Sequence, residues 1–182
     1  LADKLCNKDR ASHIVDALHK YLADEYTCRA LCFCVNKKHA DFMAEQLCLY
    51  GFNAQSLTSD TPTEQRKQLA NQLREGSIHY LCVVDIFNEG VDIPEVDTVL
   101  FLRPTDSLTI FLQQLGRGLR LSVGKTELTV LDFVAQANRK YDFTSRFRAL
   151  TLNPEKNIKR QIEEGFTFLP HGCSIVMEKK AR

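Results

Sequence analysis

The sequence predicts an α/β fold of three layers, in which a mainly parallel sheet lies between helices, and two observations lead to it. Short unbroken apolar runs such as residues 30–35 have the length of strands that are buried on both faces. These runs alternate with segments of helical apolar spacing, an order typical of parallel strands joined by right-handed crossovers. The 182 residues, 44% hydrophobic, suffice for one such domain.

The first helices and strands are marked by their capping residues. Ser12 can cap a leading helix, and the apolar run over residues 30–35 follows as the first strand. Asn36 can cap a second helix whose stop signal is Gly51. A short second strand is predicted over residues 53–57.

A third helix is predicted to begin with the segment TPTE at residues 61–64. A threonine followed three residues later by a glutamate predicts a capping box, and Pro62 fits the first helical position. This helix is expected to end at Gly76, before a third strand over residues 78–84.

Two further strands are predicted at residues 98–102 and 128–133, separated by a helix that Ser107 can cap. Beyond residue 135 the pattern changes to C-terminal helices and a small β-hairpin. We therefore expect three parts: a leading helix over residues 1–28, the α/β lobe over residues 29–135, and a C-terminal extension over residues 136–182.

Bulk composition disfavours several classes of function. The net charge of +1 gives no chain-wide attraction to nucleic acid, so such binding would need local basic patches. No apolar run reaches the ~20 residues that span a bilayer, so we expect no membrane partner. Seven cysteines, several of them within apolar runs, favour a reducing cytoplasm. The chain does not begin with Met and shows no signal-peptide pattern, so we expect it to be part of a longer protein.

A zinc site is one alternative for Cys28, Cys32, Cys34 and His39. Structural zinc sites usually take their ligand pairs from loops or knuckles. Cys32 and Cys34 are two residues apart on a predicted strand, so they point to the same side of the sheet instead. We therefore expect no metal ligands here and interpret these thiols as core side chains.

The helix predicted over residues 108–120 combines an apolar face with a basic one. Gln113, Arg117 and Arg120 have the spacing i, i+4 and i+7, which brings them to one side of a helix. Guanidinium groups bind phosphate oxygens in a bidentate manner and keep their charge. A solvated basic helix end would show the same pattern, and spacing alone does not separate it from a phosphate site.

An acidic loop follows the third strand. Residues 85–94 contain Glu89 and Asp92 on either side of Gly90. Ligands of open parallel sheets bind beyond the carboxyl ends of strands, so this loop and the basic helix are expected at the same edge. A turn with solvated acids is the alternative, and the shared edge favours a ligand site.

Four segments resemble the motifs of superfamily-2 helicases, in family order and at family spacing. The segment NEGVDIP at residues 88–94 resembles motif V, and QQLGRGLR at residues 113–120 resembles motif VI. The segment FCVNKKHA at residues 33–40 resembles motif IV, and TSDTP at residues 58–62 with Arg66 resembles the segment after it. The resemblance spans the predicted lobe and is closest to bacterial DEAD/DEAH-box helicases and to those grouped with type III restriction and nucleotide-excision-repair motors.

This resemblance implies the second of two RecA-like lobes, with a fold like that of P-loop NTPases. In the family, ATP with Mg²⁺ lies between the lobes and is held mainly by the first, so the first lobe of the same parent chain is an expected partner. Arg120 is then the expected arginine finger, Arg117 a second phosphate or interlobe contact, and Gln113 a neighbour of both.

The resemblance also implies roles for the acidic loop and for a nucleic-acid track. Gly90 and Asp92 would meet the sugar and phosphates of the nucleotide, while Glu89 would couple the nucleotide state to the nucleic acid. The nucleic acid is expected to be DNA. Its phosphates would lie near four residues: Asn36, Lys37, Thr58 and Ser59.

The sequence offers no phosphate-binding loop of its own. The segment GKT at residues 124–126 resembles the end of such a loop, but position 119 is Leu where the loop needs Gly. We therefore expect a motor lobe that hydrolyses ATP only within the larger protein, as a nucleic-acid-dependent ATPase or helicase. The alternative is a stand-alone nucleotide-binding or regulatory α/β module, which would need a glycine-rich cradle after the first strand.

Overall fold

A computed structural model describes residues 5–84, 93–103, 125 and 127–133. The described part of the chain contains three helices and five strands. The helices are α1 (Lys8–Tyr21), α2 (Lys37–Leu49) and α3 (Thr63–Glu75). The strands are β1 (Ala30–Phe33), β2 (Ala54–Leu57), β3 (Tyr80–Val83), β4 (Thr98–Phe101) and β5 (Thr129–Asp132).

The five strands form one parallel sheet in the order β2-β3-β1-β4-β5. The central strand β1 pairs on one side with β3 and on the other with β4, so that Ala30 lies opposite both Tyr80 and Thr98. All ladders run parallel, as the alternation of strands and helices predicts. The carboxyl ends of the strands therefore share one edge of the sheet, and the amino ends share the other.

Two separate cores cover the two faces of the sheet. Alternate residues of β1 divide between them: Cys32 packs with α1 and α2, whereas Leu31 and Phe33 pack with α3. Every residue of β1, β3 and β4 is buried because helices or connecting segments lie against both faces. The three-layer α/β fold is thus confirmed.

Several predicted helix caps are confirmed. The Asn36 side chain accepts a hydrogen bond from the His39 backbone N–H at 3.0 Å, which caps α2. Gly76 ends α3 with a φ of 81°, and Gly51 follows α2 with a φ of 88°. Side chains other than glycine rarely adopt this left-handed conformation, so both glycines are needed where they stand.

Two predicted caps are wrong. Ser12 lies inside α1, which begins at Lys8 and is capped by Asn7, whose side chain accepts from the Asp9 N–H at 2.8 Å. Ala11 is buried, so the apolar stripe of this helix begins one position before the predicted cap. Asn and Ser are comparably good caps, so the cap preference alone does not distinguish Asn7 from Ser12.

The predicted capping box of α3 is not formed. Pro62 lies at the cap position, one residue before the first helical residue, and no side chain caps this helix. The Thr61 hydroxyl instead accepts a hydrogen bond from the Thr58 N–H at 3.0 Å, so it closes the preceding turn. A hydroxyl at this position can serve either the turn or the helix, and here the turn takes it.

The amino-terminal edge of the sheet is held by a partly buried polar network. The Asp97 carboxylate accepts from the Arg29 N–H at 2.9 Å and from the Thr98 hydroxyl at 2.8 Å. The Arg29 guanidinium donates to the carbonyl of Arg74 at 3.0 Å, and Arg74 pairs with Glu95 at 3.4 Å. These bonds join α3 to the starts of β1 and β4.

The boundaries at residues 28 and 135 stay predictions, and the C-terminal helices and hairpin lie outside the described residues. The leading helix is present as α1, and it packs into the same core as α2. Among the residues that the structure describes, no helix is both long and apolar enough to cross a bilayer.

Candidate nucleic-acid interface

Two of the motif-like segments meet at the carboxyl-terminal edge of the sheet. The first follows β1 and begins α2 with Asn36 and Lys37, and the second is the turn after β2, over residues 58–62. Strand β3 lies between β1 and β2 and ends at the same edge with Val83. The predicted acidic loop at residues 85–94 follows β3 in sequence, and its residues 85–92 lie outside the described ranges.

Arg66 holds the turn after β2 in place. Its Nε donates to the carbonyl of Thr61 at 2.6 Å, and its Nη2 donates to the carbonyl of Ser59 at 2.7 Å. The Thr58 N–H, bound to the Thr61 hydroxyl, closes the turn from inside. These three bonds fix the backbone on both sides of Asp60, so the position of its carboxylate is restricted.

An ion pair connects the turn to α2. The Lys37 ammonium donates to the Asp60 carboxylate, and the Ser59 hydroxyl donates to the same carboxylate at 3.3 Å. The hydrogen bond and charge of Lys37 lower the pKa of Asp60, and Asp60 in turn raises the pKa of Lys37. The side chains remain 53% and 64% exposed, so solvent and ligands can reach both.

The surface around this ion pair mixes positive and negative groups. A shallow depression on α2 is lined by Lys37, Lys38, Asp41, Phe42 and Glu45. Asp41 accepts a hydrogen bond from the hydroxyl of Ser56 in β2 at 2.5 Å. Together with the Asp60 carboxylate, this local balance makes the patch far less basic than its lysines alone suggest.

His39 lies beneath this surface and is fully buried. Its Nδ1 accepts a hydrogen bond from the Val35 N–H at 3.3 Å, and its Nε2 has no hydrogen-bond partner among the described residues. Burial and the nearby charge of Arg10 lower the pKa of His39 from 6.5 to about 4. A neutral imidazole at physiological pH supports the start of α2 and carries no positive charge to a ligand.

Cys28, Cys32 and Cys34, the cysteines of the alternative zinc site, are buried thiols. Cys32 and Cys34 point into the same core, as predicted, and the Cys34 thiol donates to the Cys32 carbonyl at 3.6 Å. Cys28 donates to the carbonyl of Glu25 at 3.6 Å. Burial raises the pKa of Cys34, so the thiolate that zinc requires is disfavoured. Within the described ranges, no three His, Cys, Asp or Glu side chains are arranged to hold a metal ion.

The four predicted nucleic-acid residues differ in how they are used. Lys37 and Ser59 are exposed and meet through Asp60. Asn36 caps α2, although it is exposed, and Thr58 is buried with 5% exposure and supports the turn. Asn36 and Thr58 therefore have structural tasks in addition to any contact with a ligand.

The predicted nucleotide residues are not among those that the structure describes. Glu89, Gly90 and Asp92 follow β3, and three further residues belong to the connection between β4 and β5: Gln113, Arg117 and Arg120. Their roles stay predictions. Lys125 is described, and its ammonium donates to the Pro94 carbonyl at 3.3 Å.

Sequence reasoning gave no separate role to Asp60 or Arg66. Arg66 could have been found, because helical side chains tilt toward the N-terminus of the helix, so an arginine in the first turn of α3 can reach the carbonyls before it. Asp60 has no such signal, since its partner Lys37 lies 23 positions away in sequence. Only the meeting of two segments at one sheet edge shows that pairing.

The sheet order and the helices on both faces are those of a RecA-like α/β lobe. The family described as helicase conserved C-terminal domain matches residues 13–122. The chain therefore belongs to the helicase C-terminal domain family and is the second lobe of a superfamily-2 helicase.

Two similar proteins illustrate this relationship. The chain is 33% identical over 108 residues to IRC3 of Saccharomyces cerevisiae, a protein assigned as an ATP-dependent helicase, and the match covers 59% of this chain and 16% of that protein. It is 33% identical over 141 residues to UvrABC system protein B of Kosmotoga olearia, covering 72% and 21%. The chain thus spans about a fifth of the length of these relatives.

Solved structures share the fold at lower identity. A fragment assigned to the HsdR subunit of a type I restriction enzyme from Vibrio vulnificus has a TM-score of 0.60 at 23% identity, over 75% of this chain and 28% of that one. The Escherichia coli DEAD-box protein SrmB has a TM-score of 0.58 at 21% identity, over 69% and 71%. These similarities support the α/β fold.

Proposed function

We propose that this chain is the second motor lobe of an ATP-dependent DNA helicase or translocase, which works with a first lobe of the same polypeptide. The observation that carries the proposal is the meeting of two motif-like segments, around Lys37 and Ser59, at the ligand-binding edge of a parallel sheet. We favour DNA because the sequence resembles restriction and excision-repair motors.

Nucleotide chemistry is assigned to the basic helix and the acidic loop. ATP with Mg²⁺, held mainly by the first lobe, supplies the phosphoryl group that is transferred to water. Arg120 would approach its phosphates as the arginine finger, with Arg117 as a second contact and Gln113 beside them. Gly90 and Asp92 would lie toward the nucleotide.

The nucleic-acid track is assigned to the exposed donors of the carboxyl-terminal edge. Lys37 would bind a backbone phosphate as a point charge, and the Ser59 hydroxyl would donate to a neighbouring oxygen. Asn36 and Thr58 would hold these two residues in position through the cap of α2 and the turn after β2. Glu89 would couple this track to the nucleotide.

The test of the motor assignment is Arg120→Ala in the full-length protein. An arginine finger stabilises the charge of the transition state, so we expect DNA-stimulated ATP turnover to fall by about 10³-fold or more. ATP affinity should change little, because the first lobe supplies most of the binding contacts. Single-turnover ATP hydrolysis and equilibrium binding of a fluorescent ATP analogue measure the two quantities.

Lys67→Ala is the matched control, because Lys67 is an exposed cation of α3 that pairs with Glu64 at 3.3 Å. It should leave turnover unchanged. Arg120→Lys separates charge from geometry, since lysine lacks the planar fork. Wild-type turnover in Arg120→Ala would reject the motor assignment, and stimulation by RNA but not by DNA would reject the proposed substrate.

A further inference from the structure

The ammonium group of Lys37 already has an anionic partner in this structure. It donates to the carboxylate of Asp60, which also accepts from the Ser59 hydroxyl at 3.3 Å. Lys37 and Ser59 are two of the exposed residues assigned above to nucleic-acid phosphates. A single carboxylate therefore takes both of the donors that a phosphate group would use.

The Asp60 carboxylate is presented by a fixed turn. Arg66 binds the carbonyls of Ser59 and Thr61, on either side of Asp60, and Thr61 accepts from the Thr58 N–H. An anion tethered in this way has a high effective concentration at its partner compared with a free anion. It can therefore compete with a phosphate from solution.

Stability alone does not account for the pair. Both side chains are more than half exposed, and ion pairs of this kind contribute little to folding. The turn is closed by Arg66 and Thr61 without help from Lys37. The groups that the pair does control are the Lys37 ammonium and the Ser59 hydroxyl, two exposed donors at this edge.

We propose that Asp60 acts as an intramolecular substitute for a nucleic-acid phosphate. It holds the Lys37 ammonium and the Ser59 hydroxyl in the free lobe and is displaced when a backbone phosphate binds. Asp60 is thus a positioning residue that sets the affinity of this edge and allows the strand to be released. This inference rests on the proposed nucleic-acid track.

The test is Asp60→Asn in the full-length protein, since asparagine keeps the size of the side chain and an acceptor for Ser59. Binding of a fluorescein-labelled single-stranded oligothymidylate is measured by anisotropy without nucleotide, over a series of salt concentrations. We expect binding to become about two- to fivefold tighter at low salt, the range of an exposed ion pair. The salt dependence should become steeper, because Lys37 then neutralises a phosphate without a competing carboxylate.

Glu64→Gln is the matched control, because Glu64 is also an exposed carboxylate, paired with Lys67 at 3.3 Å on α3. It removes the same charge and should leave the affinity unchanged. Lys37→Ala should weaken binding and lower the salt slope by about 0.7, the value for one single-strand phosphate contact. In the Lys37→Ala background, Asp60→Asn should have little further effect.

The outcomes separate the two proposals. If Lys37→Ala binds as tightly as the wild type, Lys37 is not part of the nucleic-acid track. Both the assignment of Lys37 to the track and the role of Asp60 are then rejected, whereas the motor assignment is tested separately by Arg120→Ala. If Lys37→Ala weakens binding but Asp60→Asn does not tighten it, only the role of Asp60 is overturned. Equal gains from Asp60→Asn and Glu64→Gln would indicate a general charge effect and would also overturn it.

Discussion

At the amino-terminal edge of the sheet, the Asp97 carboxylate binds a backbone N–H and a partly buried hydroxyl, whereas at the carboxyl-terminal edge the Lys37–Asp60 pair joins two exposed side chains. Asp97 accepts from the Arg29 N–H and the Thr98 hydroxyl, within hydrogen-bond distances of 2.8–2.9 Å. Lys37 and Asp60 instead meet in solvent, each more than half exposed. The first set of bonds joins strands, and the second joins side chains that a ligand can reach.

This difference separates structural from exchangeable polar contacts. Backbone partners cannot leave without loss of the fold, so bonds to them contribute to stability. Exposed side-chain pairs contribute little to stability and can exchange one partner for another at small cost. Ligands of parallel sheets generally bind at the carboxyl-terminal edge, and in this protein the exchangeable Lys37–Asp60 pair lies at that same edge.

The largest expected effect concerns His39, a buried side chain beneath the carboxyl-terminal edge. Like Asp97, it binds a backbone N–H and so belongs to the structural contacts. Its pKa is lowered from 6.5 to about 4, first by burial and then by Arg10. The unfolded chain therefore takes up a proton near pH 6.5, whereas the folded chain does not until about pH 4. Stability should fall by about 3 kcal/mol as the pH drops through this window, at about 1.4 kcal/mol per pKa unit.

Urea unfolding between pH 7 and pH 4, followed by circular dichroism, measures this loss. His39→Gln removes the titrating group, so its stability should depend less on pH than that of the wild type. His13→Gln is the control, because His13 is exposed on α1, and it should retain the wild-type dependence. Identical pH profiles for His39→Gln and the wild type would show that His39 does not resist protonation.

A second prediction compares the two edges directly. Asp97→Ala removes a carboxylate that accepts two hydrogen bonds, so the free energy of unfolding should fall by about 2 kcal/mol. Asp97→Asn keeps an acceptor and should recover part of the loss. Asp60→Ala should leave the midpoint of urea unfolding unchanged, and equal destabilisation by Asp60→Ala and Asp97→Ala would contradict the distinction between the edges.

The smallest expected effect concerns Asn36, which makes a structural contact with a backbone N–H and is also exposed to a ligand. Its side chain caps α2 by accepting from the His39 N–H, so Asn36→Ala should cost about 1 kcal/mol of stability. Asn36→Ser and Asn36→Asp should both restore the cap. If Asn36 also lies near phosphates, Asn36→Asp should weaken DNA binding where Asn36→Ser does not, and equal affinities of the two variants would limit Asn36 to its structural task.

Part of the predicted site lies within the described residues. There, contacts between residues close in sequence could be predicted, and contacts between distant segments could not. Lys37 and Ser59 were named from motif resemblance, and both lie exposed at the predicted edge. The pairing of Lys37 with Asp60 could not be foreseen, because it requires the start of α2 to lie beside the turn after β2. The failed cap at Thr61 is a similar case, since two local partners competed for one hydroxyl.

The sequence by itself determined the class of fold, the order of its elements and most of their ends. Unbroken apolar runs, helical spacing and residues such as Asn36 and Gly76 act over three or four positions, so they can be read directly from the chain. Tertiary structure alone decided that β1 lies between β3 and β4 and that Lys37 meets Asp60. The physical reason is that strand neighbours and ion pairs between distant segments arise from packing. The sequence of a helix crossover does not specify beside which strand the next strand will lie.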